Sequence, residues 1–408
     1  MWDIRTITED DAQLFRARMA RGFGRDLPKD DEEGIERFRA TFDYDRTLAA
    51  FEGDELVGTA AAFDLAVTVP GGVTVPMGGT TVITVQPTHR RRGLLRALMD
   101  RHLQDVADHE EPLAGLRASE GSIYQRFGFG PATYRYNLTL DAGDVTFLGE
   151  PTAGVVRLVE GDEVAKVVVD IYERFRADAP GALTRSDAWW SYRVLADIEA
   201  WRGGKSMMRY AIHEEDAVPT GYAMYRQKDH WENFESSGEV SVEEMITLTP
   251  EAHLGLWSFL TNIDLFPKVD HWNHPIDDPL DQMVTDHRRL RRTLIDGLWV
   301  RLMDVERALE ARRYESDGSI AIEVGDRSRP ETSGTYRLEV EAGSATCRRV
   351  SAPSQVAMSA DVLGHLYLGG GNAMTMAAAG RIEGDPADVT RLHRLFSTSS
   401  APWCPEVF

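Results

Sequence analysis

Apolar and polar residues alternate along the chain in two periods, one typical of strands and one typical of helices. The β-branched run at residues 82–85 predicts a buried strand. Leucine, methionine and valine side chains recur at helical spacing over residues 94–107, which predicts an amphipathic helix. The segment between them, residues 89–93, is basic and ends in a glycine. The predicted order is therefore strand, basic loop, helix.

Further elements are predicted on both sides of this segment. Up to residue 148 the pattern predicts strands at 4–7, 47–51, 56–63, 113–118 and 134–140, a hairpin at 66–75, and helices after Thr8, at 29–38 and at 123–127. From 149 to 288 it predicts strands at 155–159, 207–213, 221–226, 239–247 and 268–272, and helices at 162–176, 186–201 and 250–262. Beyond 288 it predicts a strand at 298–303, three strands within 319–350, and helices at 304–313, 359–367, 375–379 and 386–396.

The order of these elements predicts three domains, at residues 1–148, 149–288 and 289–408. The first is expected to be a mixed α/β sheet built around the basic loop. The second broadly repeats the same order, but its central strand runs into a helix through Leu248-Thr-Pro-Glu, without a basic glycine loop. The third changes to an α+β pattern with a three-strand meander.

Composition indicates an ordinary globular protein. The chain has 408 residues, of which 42% are hydrophobic and 27% charged, enough for two or three cores. No run approaches 18 apolar residues, so no transmembrane helix is expected. The N-terminus lacks a signal-peptide core. Cys347 and Cys404 are too few for a disulfide framework or a zinc site. A cytoplasmic location is therefore expected.

The formal net charge of −21 argues against nucleic acid or anionic membranes as partners. It is compatible with a cationic substrate, but solubility alone is the simpler explanation. The acidic stretch at residues 29–33, together with Asp26, allows the same two interpretations. It is either a solvated helix start or a rim that attracts a cationic substrate.

The basic loop is predicted to bind an anion, because backbone N–H groups and a helix N-terminus meet there. Gly93 allows close approach of the backbone, and arginine can grip phosphate through two hydrogen bonds. A solvated basic turn is the alternative. The loop is neither a nucleotide P-loop, since no Gly-Lys-Ser/Thr follows, nor a Rossmann fingerprint, since Gly-x-Gly-x-x-Gly is absent.

The loop resembles motif A of the GCN5-related N-acetyltransferases, Gln/Arg-x-x-Gly-x-Gly/Ala, although Leu95 replaces the usual small third residue. The longer run at residues 87–95 and a block at 118–133 are similar to those of the actinobacterial enhanced intracellular survival (Eis) family of amine acetyltransferases. Further similar blocks lie at 221–226, 274–280, 296–303 and 361–369, so the resemblance covers essentially the whole chain. It implies two tandem acetyltransferase folds, the second degenerate and without cofactor, followed by a sterol-carrier-protein-like α+β domain.

The resemblance implies that acetyl-CoA is the cosubstrate, and it also implies residue roles. The residues expected at acetyl-CoA are Ile83, Thr84, Val85, Arg91, Arg92, Gly93, Leu94, Leu95, Arg96, Ser119 and Glu120. Tyr124 matches the position of the general acid, which protonates the leaving thiolate. A phenol with a pKa of about 10 keeps its proton at neutral pH. Without the resemblance, a tyrosine after a glycine-rich turn is more simply a packing residue.

The base implied by the resemblance is the C-terminal carboxylate, here that of Phe408. An α-carboxyl group has a reference pKa of roughly 3.3–3.7, so it acts as a weak base, directly or through water. Val407 departs from the family, in which an acidic residue precedes the terminal Phe. Glu406 lies one place earlier and is expected to face elsewhere. Without the resemblance, these residues would be expected to fray.

Two other chemistries are less favoured. His271 and His274 have the spacing His-x-x-His, but no Glu follows His271 as in His-Glu-x-x-His, so no metal is expected. Ser119 has no evident His and Asp partners for a hydrolase triad. The sequence thus predicts no metal-dependent or acyl-enzyme mechanism.

The predicted function is that of an N-acetyltransferase. It would acetylate amines of polycationic small molecules, such as aminoglycosides, by direct attack of the amine on the thioester. The resemblance also implies a homohexamer. Two alternatives stay open: a protein-lysine acetyltransferase that uses the same site, and a non-enzymatic carrier of apolar ligands through the third domain.

Overall fold

The computed structural model of the protein describes residues 2–28 and 31–408. The strands run in chain order as β1 (Asp3–Thr6), β2 (Thr47–Glu52), β3 (Glu55–Val69), β4 (Val73–Val85), β5 (Leu113–Arg117), β6 (Gly130–Pro131), β7 (Tyr134–Asp141), β8 (Val155–Val159), β9 (Arg209–Glu215), β10 (Val218–Lys228), β11 (Trp231–Glu232), β12 (Glu235–Ser236), β13 (Glu239–Thr247), β14 (Lys268–Pro275), β15 (Arg291–Asp296), β16 (Leu298–Leu302), β17 (Gly318–Gly325), β18 (Gly334–Glu341), β19 (Ser344–Val350), β20 (Val356–Ser359) and β21 (Ile382–Gly384). The helices are α1 (Ala12–Gly22), α2 (Glu32–Thr41), α3 (Leu94–Asp108), α4 (Asp162–Arg176), α5 (Asp187–Trp189), α6 (Glu199–Arg202), α7 (Pro250–Thr261), α8 (Leu280–Met283), α9 (Val305–Ala311), α10 (Ala360–Tyr367), α11 (Ala373–Ala378) and α12 (Pro386–Phe396).

The first sheet has the strand order β1-β2-β3-β4-β5-β16-β6. Its neighbours are antiparallel except β4 and β5, which run parallel and are connected by α3. The apolar stripe of α3 is buried, as its periodicity predicts, with Leu94, Leu98 and Met99 almost inaccessible to solvent. The predicted mixed α/β sheet around the basic loop is therefore confirmed.

The second sheet, β15-β7-β14-β13-β10-β9-β8, repeats this arrangement. Its parallel pair is β13 and β14, connected by α7. The start of α7 differs from that of α3, because Pro250 occupies its first turn and the Thr249 side chain accepts a hydrogen bond from Ala252 N. These residues close the helix N-terminus with a side-chain cap in place of a glycine loop. The predicted repeat without a basic loop is confirmed.

Two strands belong to other sheets than the sequence predicts. The sequence predicts the strand at 134–140 in the first domain, but β7 pairs with β14 and β15 in the second sheet. It predicts the strand at 298–303 in the third domain, but β16 lies between β5 and β6 in the first sheet. All five residues of β16 are buried, as suits a central strand. Periodicity identifies a strand but not its partners.

The chain divides into two compact units that interleave in sequence. The larger unit contains the first 133 residues, residues 180–193 and residues 297–408. The smaller unit contains residues 134–179 and 194–296. The boundaries predicted at 148 and 288 stay predictions, and the contacts within the chain divide it at other positions.

The third sheet, β19-β18-β17-β20-β21, lies in the C-terminal part of the larger unit. Strands β17, β18 and β19 form the predicted meander. Asp304 begins α9 by accepting a hydrogen bond from Arg307 N at 3.0 Å. The helix predicted at 29–38 begins at Glu32, and Lys29 and Asp30 lie outside the described residues. Among the described residues, no helix has the length and apolar character needed to cross a membrane.

Candidate active site

Strands β4 and β5 pair over only a short stretch, from Met77 opposite Leu113 to Gly79 opposite Gly115. Beyond that point β4 continues to Val85 and β5 to Arg117, with no further pairing recorded between these described residues. Two parallel strands that separate leave backbone N–H and C=O groups along the inner edge of each. Such an edge can hydrogen-bond an extended ligand as an added strand would. The predicted residues Ile83, Thr84 and Val85 lie on this part of β4.

A β-bulge shapes the same part of β4. Thr84 pairs with Thr59 but Thr81 pairs with Ala61, so one extra residue is inserted in β4. Val82 takes up the irregularity with a φ of +48°, which is strained for a β-branched residue. The Thr59 hydroxyl supports it by donating to Val82 O at 2.7 Å. The bulge therefore turns the backbone immediately before Ile83.

The basic loop ends at Gly93, which precedes α3 with a φ of +91°. The first intrahelical bond runs from Ala97 N to Gly93 O, at 3.1 Å, so the N–H groups of residues 94–96 have no acceptor within the helix. Apart from its two chain neighbours, no atom of the described residues lies within 4 Å of where a Cβ on Gly93 would stand. The loop thus presents bare donors and the positive end of a 15-residue helix to open space.

The arginines of the loop have different environments. Arg92 donates to Glu52 Oε1 at 2.8 Å and lies 4.8 Å from the centre of the Trp2 ring. Arg90 Nε donates to Val85 O at 3.3 Å, which ties the loop to the end of β4. Arg91 and Arg96 are exposed. Arg91 and Arg96 therefore present their side chains to solvent, while Arg92 is held by Glu52, the last residue of β2.

Replacing Gly93 by alanine tests the loop. If the loop binds the expected cosubstrate, Gly93→Ala should raise the Kd for an acyl-CoA such as acetyl-CoA about tenfold, because a methyl group would occupy the space that a phosphate approaches. Isothermal titration calorimetry would measure it. Gly380→Ala is the matched control, since Gly380 also has a positive φ, +70°, and open space around it. Equal Kd values for the two variants would contradict the assignment of the loop.

Tyr124 is buried in an apolar cluster between α3, β5 and β16, with Met99, Leu116 and Trp299 among its members. Ile83 and Leu95 pack against the same cluster. The structure therefore places predicted residues from β4, from the basic loop's helix and from the Tyr124 turn around one core. The short helix predicted at 123–127 is a single 3-10 turn, Gln125–Phe127, and Tyr124 immediately precedes it.

Burial raises the pKa of the Tyr124 phenol above its ordinary value of 10.0. A hydrogen bond from Ser119 acts in the opposite direction, and the negative charge of Glu120 adds to the rise. Both Ser119 and Glu120 are exposed. The structure thus brings Ser119 and Glu120 to Tyr124. The net effect of the surroundings of Tyr124 is a raised pKa, so the phenol keeps its proton.

The turn that carries Tyr124 is held by a buried ion pair. Arg301 of β16, fully buried, donates to Phe127 O and to Asp326 Oδ2. Asp326 also accepts from the backbone N–H groups of Ser328 and Arg329, each at 2.9 Å. The C-terminal part of the larger unit therefore supports the Tyr124 turn through Arg301.

We expect Asp326→Asn to destabilise the protein by about 3–5 kcal/mol, because it leaves the Arg301 charge buried without its partner. Urea denaturation would measure the free energy of unfolding. Glu331→Gln is the control, since Glu331 pairs with Arg329 in the same loop but is 59% exposed. The control should lose under about 1 kcal/mol. Similar losses in both variants would be evidence against a structural role of this pair.

The C-terminal residues are packed against the larger unit instead of fraying. Trp403 N donates to Pro180 O at 2.8 Å. Burial raises the pKa of the Cys404 thiol to about 12, while the positive charge of Arg117, the last residue of β5, opposes that rise. The segment thus passes the end of β5, two residues before Ser119.

Residues 405–408 then reach the segment at 180–193. Glu406 is buried against Arg185 and Trp189, and the backbone of Val407 accepts a hydrogen bond from Arg193. Phe408 is partly buried. Sequence reasoning missed Arg185, Trp189 and Arg193 because no local pattern relates them to a segment more than 200 positions later.

The helix predicted at 186–201 is wrong as a continuous element. The segment forms α5, a π-helical turn at Trp190–Val194, and α6. Ser186 caps α5 as a helix start should, but the helical path ends at Val194, and Asp197 in the gap before α6 accepts hydrogen bonds from Arg226 Nη1 at 2.6 Å and from Met208 N at 3.1 Å. Tertiary contacts therefore override the local propensity.

His271 and His274 lie buried in the smaller unit with their Nδ1 atoms 3.3 Å apart. His274 Nε2 is 3.7 Å from Asp278 Oδ1, which also contacts His253 Nε2 at 3.0 Å. Within the described part of the chain, no group of three or more His, Cys, Asp or Glu side chains has an arrangement that could hold a metal ion. Burial lowers the pKa of both His271 and His274, which makes them neutral core residues.

Comparison with known proteins places this site in a family. Acetyltransferase (GNAT) domain models match residues 3–132 and 181–302, and a sterol carrier protein domain model matches residues 305–405. The N-acetyltransferase Eis of Mycobacterium tuberculosis is 38% identical over 348 residues, which cover 83% of this chain and 82% of that protein. An N-acetyltransferase of Streptomyces avermitilis, described as uncharacterized, is 38% identical over 410 residues, 100% of this chain and 99% of its own.

Structural similarity agrees with the sequence similarity. The crystal structure of Eis1 from Mycobacterium abscessus matches with a TM-score of 0.86 and 32% identity, over 100% of both chains. A GCN5-related N-acetyltransferase from Anabaena variabilis has the same TM-score at 17% identity, and this match shows a similarity of fold only. The predicted order of two acetyltransferase folds and a sterol-carrier-like domain is confirmed. The chain belongs to the Eis family of GCN5-related N-acetyltransferases.

Proposed function

We propose that the protein transfers the acetyl group of acetyl-CoA to an amine of a polycationic small molecule, such as an aminoglycoside. The observation that carries this proposal is the separation of β4 and β5, which opens one edge of β4 between the basic loop and the Tyr124 cluster. An extended thioester cosubstrate needs an anion site at one end and backbone partners along its length. The loop before α3 and residues 83–85 supply both kinds of group.

The residues at the cosubstrate bind and orient. The N–H groups at the start of α3 face the pyrophosphate, with Arg91 and Arg96 as cationic partners. The backbone of Ile83, Thr84 and Val85 pairs with the pantetheine arm, and the bulge at Val82 directs an N–H group at the thioester carbonyl. The donors in this cradle belong largely to the backbone.

Tyr124 serves as the general acid. The amine nitrogen attacks the thioester carbon, the C–N bond forms and the C–S bond breaks, and the sulfur takes the phenolic proton of Tyr124. The raised pKa keeps that proton in place at neutral pH. No covalent enzyme intermediate is required.

The carboxylate of Phe408 accepts the proton that the attacking amine loses, directly or through one water. Support comes from the packing of residues 403–407 within the same unit as Tyr124, past the end of β5. The carboxylate also attracts the cationic amine. Among the residues that the structure describes, exposed Asp26, Glu32 and Glu33 provide further negative charge near the start of α2.

Thiol release from acetyl-CoA, measured with a panel of polycationic amines and with a Phe408-deleted variant, tests the proposal. Release that requires an amine and is lost in the variant is the expected result. Thiol release only with a protein acceptor would show that the substrate is a protein lysine. Saturable binding of an apolar ligand without any acetyl transfer would show that the protein is a carrier and not an enzyme.

We further propose a homohexamer without nucleic-acid, membrane or metal partners, located in the cytoplasm. The net charge of −21 supports the absence of polyanionic partners. Native mass spectrometry would test the assembly, and a mass other than six chains would contradict it.

A further inference from the structure

Glu406 is buried although it lies only two residues before Phe408. The side chain of Glu406 is 6% exposed and that of Arg185 is 1% exposed, and the two form an ion pair. Burying a charged side chain costs a large desolvation free energy, and only pairing and hydrogen bonding of both charges offset it. Residues near a chain end are usually mobile. An ion pair this deep therefore holds the segment in one place.

Both carboxylate oxygens of Glu406 have a donor. Arg185 Nε donates to Oε1, and the Trp189 indole N–H donates to Oε2 at 3.0 Å. The two donors lie on one turn, because the Ser186 hydroxyl accepts a hydrogen bond from Trp189 N at 3.1 Å and starts α5. The segment that leads into this turn is bonded to β3. The N–H groups of Gly181 and Thr184 donate to Thr68 O and Ala66 O, and Thr68 N donates to Ala182 O. The donors are thus attached to the first sheet.

Arg193 holds the next residue along. Its Nη2 donates to Val407 O at 3.3 Å, and its guanidinium lies 4.5 Å from the Trp189 ring centre and 5.1 Å from that of Phe63. A guanidinium in contact with two aromatic rings has little freedom to move. The backbone is therefore fixed as far as the residue that precedes Phe408.

We propose that Arg185, Trp189 and Arg193 form a clamp on Glu406 and Val407, and that Glu406 is a positioning residue for the Phe408 carboxylate. The clamp leaves only Phe408 free to adjust, which sets where the carboxylate can lie. The catalytic value of that placement rests on the proposed function, whereas the clamp itself does not. Misplacement of a reacting group by about 1 Å can cost about 100-fold in rate.

Release of Phe408 by a carboxypeptidase that prefers aromatic residues measures the clamp without reference to catalysis. The untagged protein, Glu406→Gln, Trp189→Phe and Glu111→Gln would be digested, and the truncated product followed by mass spectrometry. Glu111→Gln is the matched control, because Glu111 forms an equally buried ion pair with Arg46 elsewhere in the same unit. It reproduces the loss of stability but leaves the clamp intact.

We expect Glu406→Gln to release Phe408 about tenfold faster or more, and Trp189→Phe to do so to a smaller extent. Glu111→Gln should match the wild type. Under turnover, Glu406→Gln should lower kcat about tenfold to 100-fold while the KM for acetyl-CoA stays within about twofold. Trp189→Phe is the milder variant, since it keeps the ring and removes one donor.

Wild-type release rates in both clamp variants would overturn the proposal, as would an equal acceleration in Glu111→Gln. Turnover of the Phe408-deleted variant tests the proposed function separately from the clamp. If that variant keeps full turnover while Glu406→Gln still releases Phe408 faster, the clamp stands and the carboxylate is not the base. Faster release of Phe408 from Glu406→Gln with an unchanged kcat, while the Phe408-deleted variant is inactive, would refute the positioning role itself.

Discussion

Deletion of Phe408 is expected to reduce turnover about 100- to 1,000-fold with little change in the Kd for acetyl-CoA. The deletion moves the terminal carboxylate back by one residue, about 3.5 Å along an extended chain, to Val407. The contacts of Glu406 and Val407 with Arg185 and Arg193 prevent the shortened segment from sliding forward. General-base catalysis contributes about 10² to 10⁴ in rate, which sets the scale.

Two further variants separate the ring from the carboxylate. Phe408→Leu keeps the carboxylate in place and should retain turnover within about tenfold, since it changes only an apolar side chain. Adding one glycine after Phe408 displaces the carboxylate in the other direction and should resemble the deletion. Steady-state thiol release gives kcat, and calorimetry gives the Kd for acetyl-CoA. Full activity of the glycine-extended protein would exclude the carboxylate as the base.

Tyr124→Phe is expected to lower kcat about 100-fold while the KM for acetyl-CoA stays within about twofold. The substitution removes the proton donor but keeps the ring in its apolar cluster, 6.3 Å from the Phe129 ring centre. Tyr44→Phe is the control, because it removes a hydroxyl that bonds Glu9 at 2.9 Å on the surface. A Tyr124→Phe enzyme with wild-type kcat would show that another group protonates the thiolate.

The pH dependence follows from the direction of the pKa shift. Burial raises the pKa of Tyr124 above 10.0, so the protonated, active form persists to higher pH than for a free phenol. Wild-type kcat should therefore show no loss from this group below about pH 10, and should fall only above it. The fall at high pH should be absent in Tyr124→Phe. A wild-type decline near pH 8 would point to a different acid.

The sequence predicts the local elements well because burial periodicity is a local property. Helix α4 and strand β13 begin and end at their predicted residues, 162–176 and 239–247. Strand partners are not local. The segments predicted as strands at 134–140 and 298–303 do form strands but belong to other sheets than predicted, since a period of two residues carries no information about which edge a strand joins.

The same distinction holds for the candidate site. The basic loop and the Tyr124 turn can be recognised because each is a short run of residues with one chemistry. The contacts of Arg185 and Trp189 with Glu406 join residues more than 200 positions apart. Long-range contacts of this kind are set by the folded chain and have no signature in a single sequence.

The interleaved course of the larger unit has a consequence for synthesis on the ribosome. Strand β5 pairs on one side with β16, which is made about 180 residues later, after the whole smaller unit. In a nascent chain of the first 133 residues, β5 therefore has an open edge that is paired in the complete protein. The proposed base arrives later still, with residues 403–408. The proposed cosubstrate cradle is thus translated long before the group that would complete catalysis, and also before β16, whose Trp299 and Arg301 pack against and hold the Tyr124 turn.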